Sequence, residues 1–117
     1  MLSRQDLHNL AMKTVGDSLK DNGFEFLTVN SKLKKDPQFV CLKDKKLHFF
    51  LVRASTYPNN PKSYDSVLAS KLKKHAESYD AKAYFAGVGF ASPINYQDPI
   101  IKNKPYVVNF NGWIQLD

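Results

Sequence analysis

Two residues of opposite charge, Asp36 and Arg53, stand at the outer ends of two consecutive apolar runs. The runs are separated by a short polar link, which favours an antiparallel hairpin. With Asp44 and Lys45 as the turn, the numbers of facing residues sum to 89, so Asp36 opposes Arg53 at the open end. A carboxylate and a guanidinium at this position can simply neutralise each other at the end of a sheet. Alternatively, the guanidinium is the central contact of an anion-binding site.

The charge around Arg53 is the main support for the second interpretation. Residues 32–74 hold eleven Lys and Arg against three acids, a net charge of +8, whereas the segments on either side each have a net charge of −1. This concentration would attract a phosphate backbone, an acidic protein surface or anionic lipid, although a solvated lysine-rich surface remains the alternative. The expected anion-facing residues are Arg53, Lys34, Lys35, Lys71, Lys73 and Lys74, with Asp36 supporting Arg53.

Other residues with chemical potential give weaker patterns. Cys41 is the only cysteine, which excludes intramolecular disulfides and cysteine-ligated clusters, and its apolar neighbours predict a small buried hydrophobe. The three histidines show no metal-ligand spacing, so neither a metal nor a cofactor is expected. Gly87 and Gly89 lie in a predicted strand without the third glycine of a nucleotide loop, which indicates close packing or a bulge.

Two tyrosines, Tyr57 and Tyr64, flank the proline-rich loop that follows Arg53. Exposed aromatic rings beside a basic groove can stack on the bases of a single strand. Packing of these rings against their own loop is the alternative.

Hydrophobic spacing predicts the elements that position these residues. A helix should begin after Ser3, where Asp6 completes a capping box, and a second should begin near Ser63. Apolar and β-branched runs predict strands at 24–29, 38–43, 46–55 and 81–90, the last two parallel across the second helix.

The Asn111-Gly112 pair between β-rich arms predicts a C-terminal hairpin. Its exposed edge, with Trp113, is suited to pairing with a second copy as a homodimer. The expected fold is thus a single α/β (α+β) domain over residues 1–117. It has a mixed β-sheet, an αβββαβ core plus the C-terminal β-hairpin, and helices on the sheet faces.

Nothing in the chain predicts a membrane span. No apolar run approaches the roughly 20 residues needed to cross a bilayer. Arg4, Asp6 and His8 interrupt the N-terminal segment where a secretion signal would be apolar. The expected location is therefore cytoplasmic.

This order of elements resembles the core of the PD-(D/E)XK nuclease superfamily, the restriction-endonuclease-like fold, over about residues 3–90. The resemblance implies that the triplet Leu51-Val52-Arg53 matches the acid-x-lysine motif, and that Asp36 or Asp44 matches the first metal-binding acid. Leu51 stands where the second carboxylate is needed and offers no oxygen ligand. The resemblance therefore implies a fold without an intact metal site, unless Glu25 on the first strand supplies a migrated acid.

The segment LHNLAMKTVGDSLKDNGFEFLTVNSKLKKDPQFVCL also resembles the N-terminal half of a group of small bacterial proteins. Some of these carry the name of the flavin- and iron–sulfur-containing component of a sodium-translocating NADH:quinone reductase. That component needs several cysteines for its iron–sulfur cluster, and this chain has one.

Three functions remain as hypotheses. The first is a non-catalytic binding module whose basic surface holds nucleic acid or another polyanion. The second is an accessory subunit that binds an acidic protein partner, and the third is a metal-dependent nuclease with the migrated acidic ligand.

Overall fold

The computed structural model describes residues 2–117, which form two helices and a six-stranded mixed sheet. The predicted α+β fold class with a mixed sheet is confirmed. In chain order the elements are α1 (Arg4–Asp21), β1 (Glu25–Val29), β2 (Phe39–Lys43), β3 (Lys46–Thr56), α2 (Ser66–Glu77), β4 (Lys82–Ala91), β5 (Val107–Asn109) and β6 (Ile114–Leu116).

Helix α1 begins where its capping signal predicts. The Ser3 hydroxyl accepts a hydrogen bond from the Asp6 amide, and the Asp6 carboxylate accepts one from the Ser3 amide, each 3.0 Å long. After the helix ends, Gly23 takes a φ of +83°, a left-handed conformation that glycine adopts without steric cost and that turns the chain into β1.

The sheet order is β1-β2-β3-β4, and the outer edge of β4 carries both β5 and β6. Strands β2 and β3 are antiparallel, with Phe39 opposite Phe50 and Lys43 opposite Lys46, which is the register predicted from the Asp44-Lys45 turn. Strands β3 and β4 are parallel and are joined through α2, as predicted. The long central strands therefore place the Arg53 end of β3 beside the second half of β4.

The predicted C-terminal hairpin is wrong. Strands β5 and β6 both pair with β4, Asn109 lying opposite Gly89 and Ile114 opposite Phe85. From Asn109 to Ile114 the chain takes five steps while β4 takes four, so the edge holds one extra residue, and Gly112 there has a φ of +87°. The Asn-Gly pair interrupts an edge instead of reversing it, because the 10-residue β4 is long enough to hold both segments end to end.

Trp113 lies in this interruption and packs inward. Its ring contacts Phe24 and Phe50 edge-on, with centroid distances of 5.6 and 5.5 Å. The side chain is part of the hydrophobic cluster beneath α1. The homodimer prediction therefore loses the exposed tryptophan on which it was based.

Two hydrophobic clusters cover the two faces of the sheet. The cluster beneath α1 contains Phe50 and Tyr84, whose rings stack at 4.8 Å, and the cluster beneath α2 contains Leu51 and Phe85. On the α2 face a Cβ at Gly87 would overlap the carbonyl oxygen of Pro61. The predicted close packing at this glycine is confirmed, and the partner is the loop between β3 and α2.

Strand β1 forms the other edge of the sheet. Its register against β2 shifts between Phe26 and Thr28, so that Leu27 is an extra residue in the ladder. Phe26, Leu27 and Val29 are all partly exposed along this edge. Neither helix in residues 2–117 combines the length and the hydropathy that a bilayer crossing requires.

Candidate anion-binding groove

A groove of about 360 Å³ lies between α2 and the segment that leads into β2. Its helical wall comes from residues spaced three and four apart, which places them on one face of α2. Asp65 caps this helix by accepting hydrogen bonds from the amides of Val67 and Leu68. The lining residues are Lys34, Asp36, Leu68, Lys71, Leu72 and His75.

Asp36 and Arg53 form a bidentate ion pair behind the groove. The distances are 2.8 Å from Nη1 to Oδ1 and 2.9 Å from Nη2 to Oδ2. The side chains are only 22% and 27% exposed, respectively. The predicted opposition of these two residues across the hairpin is confirmed, and both terminal nitrogens of Arg53 donate to the Asp36 carboxylate.

Gln38 completes a polar network that the sequence analysis did not identify. This fully buried side chain donates from Nε2 to Asp36 Oδ1 at 2.6 Å and to the Lys35 carbonyl oxygen at 3.2 Å. Its Oε1 accepts a hydrogen bond of 2.7 Å from the Val52 amide, in place of a backbone carbonyl oxygen of the neighbouring strand. A polar residue within a β-rich run was the only available signal, and it does not distinguish a buried amide from an exposed one.

The network keeps Asp36 ionised. Burial alone would raise the pKa of this carboxyl group, but hydrogen bonds from Arg53 and Gln38 outweigh burial and lower the pKa below its ordinary value. Nearby, burial and then the positive charge of Arg53 lower the pKa of His8 on α1. Within residues 2–117 the buried His8 Nε2 has no hydrogen-bond partner.

The structure brings only some of the predicted lysines together. Lys34 and Lys71 line the groove, and within residues 2–117 neither forms an ion pair with an acid. Lys35, Lys73 and Lys74 are not among the lining residues. Lys35 contributes its carbonyl oxygen to Gln38 instead.

The helix explains why its lysines diverge. Lys73 follows the buried Leu72 by one residue and lies on the opposite side of the buried stripe from Lys71. Lys74 is exposed on the outer surface of α2. Lys73 is therefore separated from Lys71, whereas Lys71 and Lys74, three residues apart, are neighbours on the helix surface.

The acids that could have completed a metal site lie elsewhere. Asp44 is in the hairpin turn, and Glu25 is opposite Leu42, so both are at the other end of β2 from Asp36. Asp36 precedes β2 by three residues, and the part of β2 from Phe39 to Leu42 alone spans about 10 Å at about 3.3 Å per residue. Leu51 is buried beneath α2.

In the part of the chain that the structure describes, no three His, Cys, Asp or Glu side chains are grouped so that they could hold a metal ion. Cys41 is fully buried, as predicted, and burial raises the pKa of its thiol to about 12. A thiol with this pKa carries almost no thiolate near neutral pH.

Fold and groove together define an α+β protein whose central hairpin ends in a polar network beside a basic groove. The chain belongs to the DUF8840 family, because residues 5–116 match the family model described as Domain of unknown function (DUF8840). Comparisons with curated proteins and with solved structures gave no significant match.

Proposed function

We propose that the protein is a non-catalytic binding module for nucleic acid or another polyanion, acting in the cytoplasm. Lys34 and Lys71 are the direct contacts in the groove. Arg53 holds Asp36, so its guanidinium has a supporting role in place of the central role that its sequence position suggests. The proposal includes a restriction-endonuclease-like fold, in which Arg53 occupies the position of the lysine in the acid-x-lysine motif.

The observation that carries the proposal is the charge balance of the groove. Asp36 is the only acid that lines it in the described part of the chain, and its charge is neutralised by the bidentate contact with Arg53. Among residues 2–117, no acid forms an ion pair with the ammonium group of Lys34 or of Lys71. Lysines in such a groove can neutralise phosphates of a nucleic acid and release the counterions condensed around it, which favours binding.

Titration of a labelled single-stranded oligonucleotide at increasing salt, followed by fluorescence anisotropy, tests the proposal. Affinity should fall steeply with salt, with a slope of about 0.7 in log–log form for each phosphate contact on a single strand. The variants Lys34→Glu and Lys71→Glu should each weaken binding about tenfold and reduce this slope.

The control is Lys104→Glu, which makes the same charge change beside α1. It should weaken binding much less than either groove variant. Affinity that does not respond to salt, or an equal loss in the control, would refute the proposal.

A second candidate is an accessory subunit that binds an acidic partner. Leu68 and Leu72 give the groove an apolar wall next to the two lysines, an arrangement that also suits an acidic peptide with apolar residues. Competition between the oligonucleotide and polyglutamate separates the two candidates. If only a large excess of polyglutamate displaces the oligonucleotide, nucleic acid is favoured. If an acidic peptide with apolar residues binds more tightly than the oligonucleotide, the protein partner is favoured.

A further inference from the structure

A second cavity, of about 290 Å³, lies at the carboxyl ends of the parallel strands β3 and β4. Ligands of open α/β sheets commonly bind outside these strand ends. Two tyrosine rings stand at its border, Tyr57 and Tyr96, in an edge-to-face pair with a centroid distance of 5.4 Å. The lining residues are Tyr57, Asn59, Gly89, Phe90, Ala91, Tyr96, Val107, Val108 and Asn109.

None of these lining residues carries a charge. Tyr57 and Tyr96 are 46% and 48% exposed, so both residues are accessible to a ligand. Gly89 and Ala91 are the small residues of the lining, and the Pro61 ring lies next to Gly89, where an added Cβ would be 3.2 Å from Pro61 Cγ. A flat, uncharged ligand therefore fits the shape and the polarity of the cavity, and a strongly charged one finds no counter-charge there.

Two carboxamides provide the polar contacts. Asn109 Oδ1 accepts a hydrogen bond of 3.1 Å from Asn111 Nδ2, which orients the Asn109 side chain. The backbone amide of Asn59 is bonded to Thr56, which fixes the loop from which its carboxamide projects. Each carboxamide has both a donor and an acceptor, the combination that recognises the edge of a nucleobase.

We propose that this cavity binds a nucleobase, which stacks on the ring of Tyr96, meets the ring of Tyr57 at its border and is recognised at its edge by Asn59 and Asn109. The inference goes beyond the polyanion groove because it requires no phosphate. The base can come from a free nucleoside or from a strand, and for a strand the inference rests on the proposed function. Stacking on aromatic rings and amide contacts to the base edge are the usual means of holding unpaired bases.

The test is a titration of isotope-labelled protein with adenosine, guanosine, cytidine and uridine, followed by amide chemical shifts. At least one nucleoside should shift the amides of Asn59, Gly89, Tyr96 and Asn109 in a saturable manner. Tyr96→Ala and Asn59→Leu should each weaken that binding about tenfold, the range expected when one stacking ring or one base contact is lost. Tyr96→Phe, which retains the ring, should bind nearly as well as the wild type.

Two control variants separate this site from the groove. Tyr79→Ala removes an exposed tyrosine that follows the C-terminal end of α2 and lies next to Phe49, and it should leave nucleoside binding unchanged. Lys71→Glu should also leave nucleoside binding unchanged while it weakens binding of the oligonucleotide.

The outcomes distinguish the two proposals. Saturable nucleoside binding without oligonucleotide binding supports this cavity, assigns it to free nucleosides and refutes the groove proposal. Oligonucleotide binding that is insensitive to Tyr96→Ala and Asn59→Leu, without nucleoside shifts, refutes the cavity proposal and leaves the groove proposal standing. Nucleoside shifts that persist in both of these variants also refute it.

Discussion

The two faces of the sheet are covered to different extents, and the candidate sites lie on the more thinly covered one. Helix α1 spans 18 residues and, with Trp113, seals a cluster built around Phe50. Helix α2 spans 12 residues, and the groove opens along its side. The cavity bordered by Tyr57 and Tyr96 lies near Gly89, where α2 does not cover the sheet. The α1 face therefore supplies most of the hydrophobic stabilisation, and the α2 face is left free to bind.

The largest expected effect tests this division directly. Phe50→Ala empties the centre of the α1 face and should lower the free energy of unfolding by about 3–5 kcal/mol, measured by urea denaturation. If that variant does not fold, Phe50→Leu gives a smaller loss that remains measurable. The counterpart on the α2 face is Leu72→Ala, with an expected loss of about 2–3 kcal/mol. An equal or larger loss for Leu72→Ala would break the comparison.

The polar network at the groove should also contribute to stability. Asp36→Asn removes the counter-charge of the half-buried Arg53 and should cost about 1–3 kcal/mol at neutral pH. Because the folded-state pKa of Asp36 is lowered, its contribution is present above the unfolded-state pKa of about 4 and is lost as the pH falls through the folded-state value. Urea denaturation between neutral and strongly acidic pH should therefore show a shallower acid decline for Asp36→Asn than for the wild type.

The matched control for this experiment is an ion pair on α1. Asp17 pairs with Lys13 at 2.9 Å, but both side chains are largely exposed. Asp17→Asn should change stability little, because exposed pairs of this kind are weak. A loss as large as that of Asp36→Asn would contradict the assignment of a special role to the network.

Close packing on the α2 face predicts the third effect. Gly87→Ala places a methyl group against the Pro61 carbonyl oxygen, and the loop between β3 and α2 must move. The expected loss is about 1–3 kcal/mol, the usual cost of overpacking. Amide shifts of Tyr57, Asn59, Asn60 and Lys62 should report the displacement, and unchanged shifts together with unchanged stability would show that the loop is not held there.

The smallest effect has the opposite sign and lies on the α1 face. A Cβ at Gly16 would lie 3.4 Å from the Phe39 ring, an ordinary contact, and the residue is inside a helix. Gly16→Ala should therefore stabilise the protein by about 0.5–1 kcal/mol, because glycine loses more backbone entropy than alanine on folding. Thermal unfolding measures the gain, and a loss would mean that Phe39 cannot accommodate the methyl group.

Local patterns were sufficient to predict the hairpin and its consequence. The turn at Asp44 and Lys45 determined the register, and the register alone placed Asp36 opposite Arg53. The capping box at Ser3 fixed the start of α1 in the same way. These predictions succeeded because each depends on residues that are close in sequence.

The errors came from pairing between distant residues. The Asn111-Gly112 pair has the composition of a tight turn, but the strands on either side of it both pair with the free edge of β4. Gln38 was missed because its hydrogen bonds depend on where Asp36 and Val52 lie in space. Convergence of Lys34 with Lys71 likewise depends on how α2 lies on the sheet, which the charge count of residues 32–74 does not contain.

The irregular step at Leu27 affects how the molecule behaves in concentrated solution. An open strand bearing Phe26 and Val29 would otherwise act as a template on which copies of the chain could stack into fibres. Since the extra residue twists this border and spoils the repeat that an incoming backbone must match, backbone geometry discourages fibre growth here in addition to the charge of Glu25.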